Sequence, residues 1–274
     1  MSIAITGASG QLGHLIVEGL LRRIPAEWIL ACVRRPDASG WFEERGVSVR
    51  PCDYDQPDAL EQAFAGVSRL LLISSSHQDD TVRLRQHAHV IEAAKKAKVG
   101  HLLYTSFAYA DNGSVPLAHL HLATEQAILA SGIPYTFLRN ALYTDIVGAL
   151  GLPGAIAQGE LVVRAGDWTF NTVIRPDLAE AAAAVLANSE AHLNRSYELT
   201  ASRTWTFEDL ADALAEIAGK PITLRRDPEV QSWIYGFLSR IDTSSVSGDL
   251  ERLLGRPTAS LLESIQPMVS RERG

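Results

Sequence analysis

A doubly wound α/β fold, with a parallel sheet covered by helices on both faces, is predicted by three features of this 274-residue chain. Short runs of β-forming residues alternate with helical patterns from the start to about Asn140. Those runs are apolar throughout rather than alternating, as strands buried on both faces must be. A glycine-rich turn, "TGASGQLG", joins the first run to the first helical pattern. That order of strand, tight turn and helix is how such sheets begin.

The elements follow in sequence. "SIAIT" is the first strand, and the helix opened by the glycines runs to about Arg23. "WILACVR" is the second strand, a short helix spans about Trp41 to Arg45, and "VSVRPCD" is the third strand. A helix from about Pro57 to Ala65 leads into the strand "RLLLIS". A long helix from about Asp79 to Lys98 precedes the strand "HLLYTS". "PLAHLHLATE" opens a helix reaching about Ala130, and "PYTFLRN" is the sixth strand.

After Asn140 the rhythm changes. "GLPGAIAQGEL" reads as a loop, "DWTFNTVIR" as a strand, and "PDLAEAAAAVLA" as a helix with Pro176 at its start. "SYELT", "TWTFEDLADALAEIAG" and "PITLRR" read as strand, helix and strand. From about Asp227 the pattern is helical, with a Ser/Gly-rich break at "DTSSVSGD". The expected organisation is a Rossmann domain over residues 1–150, with late strands from about 169–200 joining its core. A smaller, mostly helical α/β lobe over residues 151–274 packs on the sheet's ligand edge, with no linker between the two.

Composition narrows the function classes. At 46% hydrophobic and 21% charged, the chain is ordinary globular protein with a sizeable core. A net charge of -7 offers no basic field to a phosphate backbone, so nucleic acid is not an expected partner. "MSIAITGASG" lacks the cationic start of a signal peptide, and no run approaches the ~20 apolar residues that span a bilayer. The expectation is a cytoplasmic protein without membrane contact, monomeric or homodimeric. Cys32 and Cys52 close predicted strands and read as small core residues, and no metal site is expected.

Gly7, Gly10 and Gly13 carry the sharpest signal. The first permits the tight turn, the second lets the backbone approach a pyrophosphate, and the third lets helix and strand pack closely. Free N–H groups at the helix start then face the anion, placing Ser9, Gln11 and Leu12 at the same ligand. The second strand ends "CVRRP", without the carboxylate that bonds the ribose 2′-hydroxyl of NAD. Arg34 and Arg35 instead suit a 2′-phosphate, although a solvated strand end also carries arginine. NADP(H) is therefore the preferred cofactor, with NAD(H) the alternative. Asp53, after the third strand, suits the adenine amino group. Ser74, Ser75 and Ser76 follow the fourth strand at the sheet's ligand edge. Asn140 and Tyr143 follow the sixth, where Asn140 suits the nicotinamide half.

The segments "ITGASGQLGHLI", "LLLISSS", "YTSFAYAD", "PLAHLHLATE", "GIPYTFLRNALYTD", "WTFEDLA" and "GRPTASLLESI" span nearly the whole chain. In that order they resemble the NmrA-like, atypical branch of the short-chain dehydrogenase/reductase superfamily. Within it the likeness is to type 2 NAD(P)H:quinone oxidoreductases and triphenylmethane reductases. The resemblance implies that residues from Asn140 to Asp145, Tyr143 among them, and Arg175 in "VIRPD" line the cofactor. It also implies that Phe107 and Tyr109 wall the acceptor. Arg139 reads as a structural ion-pair member. Between "PITLRRDPEV" and "GDLERLLGRP" the lobe reads as shorter than in relatives, with Trp233, Tyr235 and Phe237 as replacement pocket residues or core.

The superfamily at large carries Tyr-x-x-x-Lys, with Glu four residues further on. Anchored on Glu125, that register places Leu117 at the tyrosine position and His121 at the lysine position. Leucine donates no proton, and neutral histidine does not depress a phenol as a lysine cation does. No catalytic acid is assigned. His121 reads as a polar group at the acceptor pocket, or with His119 as a helix-surface or core residue. Hydride transfer to a quinone makes a lesser demand, because the hydroquinone anion is a stable product that water protonates. The expected function is an NADPH-dependent oxidoreductase transferring hydride to a quinone or similar planar electrophile. The alternative is an NmrA-like redox sensor that binds NADP(H) and a partner protein without turnover.

Overall fold

In the computed structural model, which describes residues 2–35 and 40–270, one seven-stranded sheet organises the chain. Pro36 of "CVRRP" and the last four residues of the expected lobe lie outside the described residues. The first six strands are β1 (Ile3–Thr6), β2 (Ile29–Val33), β3 (Ser48–Pro51), β4 (Arg69–Leu72), β5 (His101–Phe107) and β6 (Tyr135–Asn140). With the later β11 (Arg195–Leu199) they stand in the order β3-β2-β1-β4-β5-β6-β11, every pair parallel. Ile3 lies opposite Ile29 on one side and Arg69 on the other. The strand order thus reverses between β1 and β4, which opens a crevice at their carboxyl ends.

Successive side chains on β1 enter different cores, which is why its run is apolar throughout. Ile3 and Ile5 join a cluster with α1 (Gln11–Leu21) and α7 (Arg175–Ala187). Ala4 joins the opposite cluster with α3 (Pro57–Ala63) and α4 (Asp80–Lys96). α2 (Gly40–Glu43) adds Phe42 to the first cluster, and α5 (Pro116–Ser131) covers the second face beside α4. The alanine run of α7 serves close packing: a Cβ on Gly19 of α1 would lie 2.8 Å from that of Ala183.

Two readings of the sequence after Asn140 change. β7 (Leu142–Tyr143) is followed by α6 (Leu152–Gln158) and β8 (Glu160–Arg164), so "GLPGAIAQGEL" is a helix and the start of a strand, not a loop. Gly151 and Gly159 bracket that short helix in the left-handed region (φ 70° and 74°), and Pro153 sits in its first turn. Such punctuation resembles a loop because so few helical residues lie between the breakers. "DWTFNTVIR" is likewise not one strand. It forms β9 (Thr169–Phe170) and β10 (Thr172–Val173), which pair in different two-stranded sheets. Buried Asn171 separates them, its amide bonding both backbone groups of Ala201 at 2.8 and 2.9 Å. Of the late strands, β11 alone enters the main sheet.

The lobe is completed by β12 (Trp205–Thr206), α8 (Phe207–Ala218), β13 (Thr223–Asp227), α9 (Trp233–Leu238), α10 (Asp249–Leu254) and α11 (Leu261–Ser270). Thr206 and Asp209 form a capping box that starts α8, and β13 pairs with β8. Phe107 and Ala118 of the first 150 residues share a core with Phe207, Leu214 and Ile265. Lobe and sheet therefore fold around common apolar contacts.

Candidate functional site

A cavity of about 470 Å³ occupies the crevice where the strand order reverses. Its floor is the turn from β1 into α1, where Gly7 takes a left-handed φ of 61° and Gly10 N–H donates to Gly7 O at 2.9 Å. Gly13 has no room for a side chain, since a Cβ would lie 2.3 Å from Gly7 O and 2.8 Å from the Ala8 Cα. No side chain caps the start of α1 and no acid stands in its first turn, so its terminal N–H groups are open to an anion. Ser9, Gln11 and Leu12 line the cavity with the three glycines.

The walls come from the ends of four strands. Arg34, just past β2, lines one side, whereas Arg35 does not. Asp53 lies past β3, with Cys52 and Tyr54 beside it. The Tyr54 hydroxyl bridges Thr6 Oγ1 at 2.5 Å and Ile73 O at 2.9 Å. Burial holds its pKa well above the ordinary phenol value, so it stays protonated. Ser74, Ser75 and Ser76 follow β4, with Gln86 of α4 reaching in behind them. At the far end, the Arg175 guanidinium stacks 4.3 Å over the Tyr143 ring and pairs with Asp145 at 2.5 Å.

Of the residues expected at the cofactor, Arg35, Asn140, Ala141, Leu142, Thr144 and Asp145 stand off this cavity and the others line it. Asn140 ends β6 buried and stands behind the wall, where its side chain interacts with that of Tyr143. Cys52, Tyr54, Ile73 and Gln86 line the cavity without having been anticipated. Tyr54 stands directly after Asp53, a neighbour that marked it. Gln86 lies inside a helix with no local signal.

The residues expected at the acceptor, Phe107, Tyr109 and His121, do not line this cavity. Phe107 and Tyr109 line a separate void of about 10 Å³, closed by Asn171, Thr200, Asp242 and Ser245. That is room for about one water molecule, not a ring. Tyr109 adopts a left-handed φ of 49° there, its N–H donating to Glu198 Oε2 at 3.0 Å and its hydroxyl to Val246 O at 2.9 Å. His121 lines neither space. It turns into the core, where its Nδ1 lies 2.8 Å from the Tyr104 hydroxyl. The helix face carrying His121 packs on the sheet, while His119 is exposed. Trp233 is 68% exposed, Tyr235 is buried and accepts from Arg164 N–H at 3.0 Å, and neither lines the site, nor does Phe237.

Glu198, which accepts from Tyr109 N–H, belongs to an ion cluster centred on Arg139. Its guanidinium donates to Glu125 at 2.9 and 2.6 Å and to Glu198 at 2.9 Å, tying α5, β6 and β11 together. Among the described residues no group of three His, Cys, Asp or Glu stands where it could hold a metal. No described helix is long and apolar enough to cross a membrane.

Buried histidines make stability depend on pH. Burial, with Arg83 nearby, lowers the pKa of His87 and of His121 to about 3. The unfolded chain takes up those protons near pH ~6.5 and the folded one does not. Stability is therefore full above that pH and is lost as pH falls through the window toward about 3. The expected loss between about pH 6.5 and about pH 5 is of order 2 kcal/mol for each histidine. Urea midpoints across that range measure it; a flat profile would show that these imidazoles are not buried neutral.

Comparison with known proteins gives consistent relatives. A family model described as NAD(P)H-binding matches residues 7–189. Quinone oxidoreductase 2 of Escherichia coli (strain K12) is 37% identical over 281 aligned positions, covering 96% of this chain and 97% of that protein. The structure of triphenylmethane reductase from Citrobacter sp. complexed with NADP(H) superposes with a TM-score of 0.90 at 42% identity, over 98% of this chain and 100% of that one. The Escherichia coli quinone oxidoreductase complexed with NADPH superposes with a TM-score of 0.86 at 37% identity, over 97% of this chain and 99% of that one.

Proposed function

This chain belongs to the NAD(P)H-binding family, and from that membership we propose an NADPH-dependent oxidoreductase that passes hydride to a quinone or similar planar electrophile. The observation that carries it is the cavity itself: an uncapped helix start over a glycine cradle, with Arg34 on its wall. The quinone and dye reductases named above, solved with NADPH and NADP(H), support both the cofactor and the acceptor class.

Bound NADPH supplies the hydride. The open N–H groups of α1 would receive its pyrophosphate, and Arg34 would pair with the 2′-phosphate. Asp53 would accept from the adenine amino group. The serine loop and the stacked Tyr143–Arg175 pair flank the nicotinamide half. Leu117 and His121 stand where the superfamily places its proton donor pair, and His121 is spent on Tyr104 in the core. The acceptor must then stabilise its own product, as a quinone or a cationic dye carbon does. Positioning, not acid catalysis, supplies the rate.

Adding a simple quinone to purified protein and NADPH should give steady NADPH oxidation at 340 nm (about the reduced nicotinamide band). A panel of quinones and cationic dyes with no turnover above blank would sink this reading. The second reading, a sensor without turnover, is favoured by the void of about 10 Å³ at Phe107 and Tyr109, which leaves no acceptor room there. It requires comparable affinity for NADP and NADPH and a co-purifying partner protein.

Arg34→Ala tests the phosphate contact. Losing a charge-assisted pair should weaken NADPH roughly 10- to 100-fold and leave NADH nearly unchanged. Equal loss for both cofactors, in fluorescence titrations, would show that Arg34 does not meet the 2′-phosphate.

A further inference from the structure

Where β4 ends at Leu72, the chain runs along the cavity wall from Ile73 to Ser76 with no strand partner. Side chains take over its backbone amides. Ile73 N–H donates to Thr6 Oγ1 at 3.0 Å and Ser74 N–H to Thr105 Oγ1 at 2.9 Å, both on neighbouring strands. Ser75 N–H donates to His87 Nε2 at 2.9 Å, a buried ring reaching in from α4. The loop's hydroxyls are held by the same helix, Ser74 Oγ by Arg83 Nη2 at 2.9 Å and Ser75 Oγ by Gln86 Oε1 at 2.5 Å.

The tautomer of His87 follows from its bonds. A backbone N–H only donates, so Nε2 presents a lone pair to Ser75. The ring proton therefore sits on Nδ1, which donates to Thr124 Oγ1 at 2.9 Å. The Thr124 hydroxyl proton goes on to Leu120 O, also at 2.9 Å. Every donor along Ser75, His87 and Thr124 meets one acceptor. With the opposite tautomer, two N–H groups would face each other and Thr124 would gain nothing. Burial keeps the ring neutral at working pH.

We propose that His87 is a positioning residue for the nucleotide, fixing the serine loop through Ser75, and that Thr124 selects the tautomer that lets it do so. Neither His87 nor Thr124 lines the cavity, whereas Ser74, Ser75 and Ser76 do, so both act through the loop. The inference rests on the reading of this cavity as the NADPH site. It extends that reading to α5: the helix that holds the proton donor in the wider superfamily here supports the cofactor wall from behind.

Thr124→Val is the sharpest test, because it removes the hydroxyl and keeps the shape. It leaves the Nδ1–H of His87 buried without an acceptor, which favours the tautomer that cannot hold Ser75. The KM for NADPH and its Kd by fluorescence titration should rise about tenfold, while the acceptor's KM stays within about twofold. Thr124→Ser should restore both cofactor constants. A lowered Tm with NADPH affinity unchanged would make the role structural only and overturn the proposal. Wild-type protein that fails to bind NADPH would instead overturn the cofactor reading, and this inference with it. Should Thr124→Val not fold, the ring-nitrogen chemical shifts of His87 in the wild-type protein decide. A protonated Nδ1 and bare Nε2 uphold the relay; the reverse pattern overturns it.

Discussion

Replacing Gly13 with alanine is expected to abolish NADPH binding and to destabilise the fold together. The added Cβ would lie 2.3 Å from Gly7 O, 2.8 Å from the Ala8 Cα and 2.9 Å from Gly7 C. All three atoms are backbone of the turn that cradles the ligand, so no side chain can swing aside. Relief requires the turn or the start of α1 to move, which displaces the open N–H groups that the proposed function assigns to the pyrophosphate. Overpacking of this kind costs ~1–3 kcal/mol or more, and immovable neighbours place it at the upper end. Gly10→Ala is the graded control, since its Cβ meets only Gly7 O, at 3.2 Å. It should bind NADPH more weakly than wild type but more tightly than Gly13→Ala. Urea unfolding and fluorescence titration read the two effects separately. A Gly13→Ala protein with wild-type midpoint and affinity would mean that helix and strand do not pack as closely as described.

Arg139→Met is expected to lose about 3–5 kcal/mol of stability, the usual result of removing one partner from a buried ion cluster. Glu125 is 3% exposed and receives two of the three short bonds from the guanidinium. Methionine fills the space and leaves both glutamates without their cation. Arg139→Lys should recover only part of the loss, because an ammonium cannot fork to Glu125 and reach Glu198 together. The deficit should also depend on pH. Burial already pushes the Glu198 carboxyl above its ordinary value, and Arg139 pulls it back down. Without Arg139 it takes up a proton more readily. The difference between wild type and Arg139→Met should therefore shrink as pH is lowered. A deficit under about 1 kcal/mol at neutral pH, the size of an exposed pair, would show that water reaches the cluster.

Much of the fold was legible because its signals are local. An apolar run reports a strand buried on both faces wherever its neighbours are, as "SIAIT" and "HLLYTS" did for β1 and β5. Gly7, Gly10 and Gly13 announced a turn because their freedom of φ and their missing Cβ are properties of single residues. Misreadings came where punctuation was dense. Two glycines and a proline around seven residues concealed α6, and Asn171 split an apparently continuous strand by bonding Ala201, 30 residues away.

The sequence by itself determined the parallel sheet, the glycine cradle, the lack of a carboxylate in "CVRRP" and the absence of a Tyr-x-x-x-Lys pair on α5. Each of these is a matter of residue type at a position. Tertiary structure decided which faces those positions present. It turned His121 into the core against Tyr104, brought Gln86 to the cavity, and closed the space at Phe107 and Tyr109 to about 10 Å³. It also joined Ser75, His87 and Thr124 into one chain of hydrogen bonds, across 12 and 37 positions of sequence. The physical reason is the same in each case. A helix has several faces, and the side that meets the sheet is set by packing among strands distant in the chain, not by any residue's own propensity.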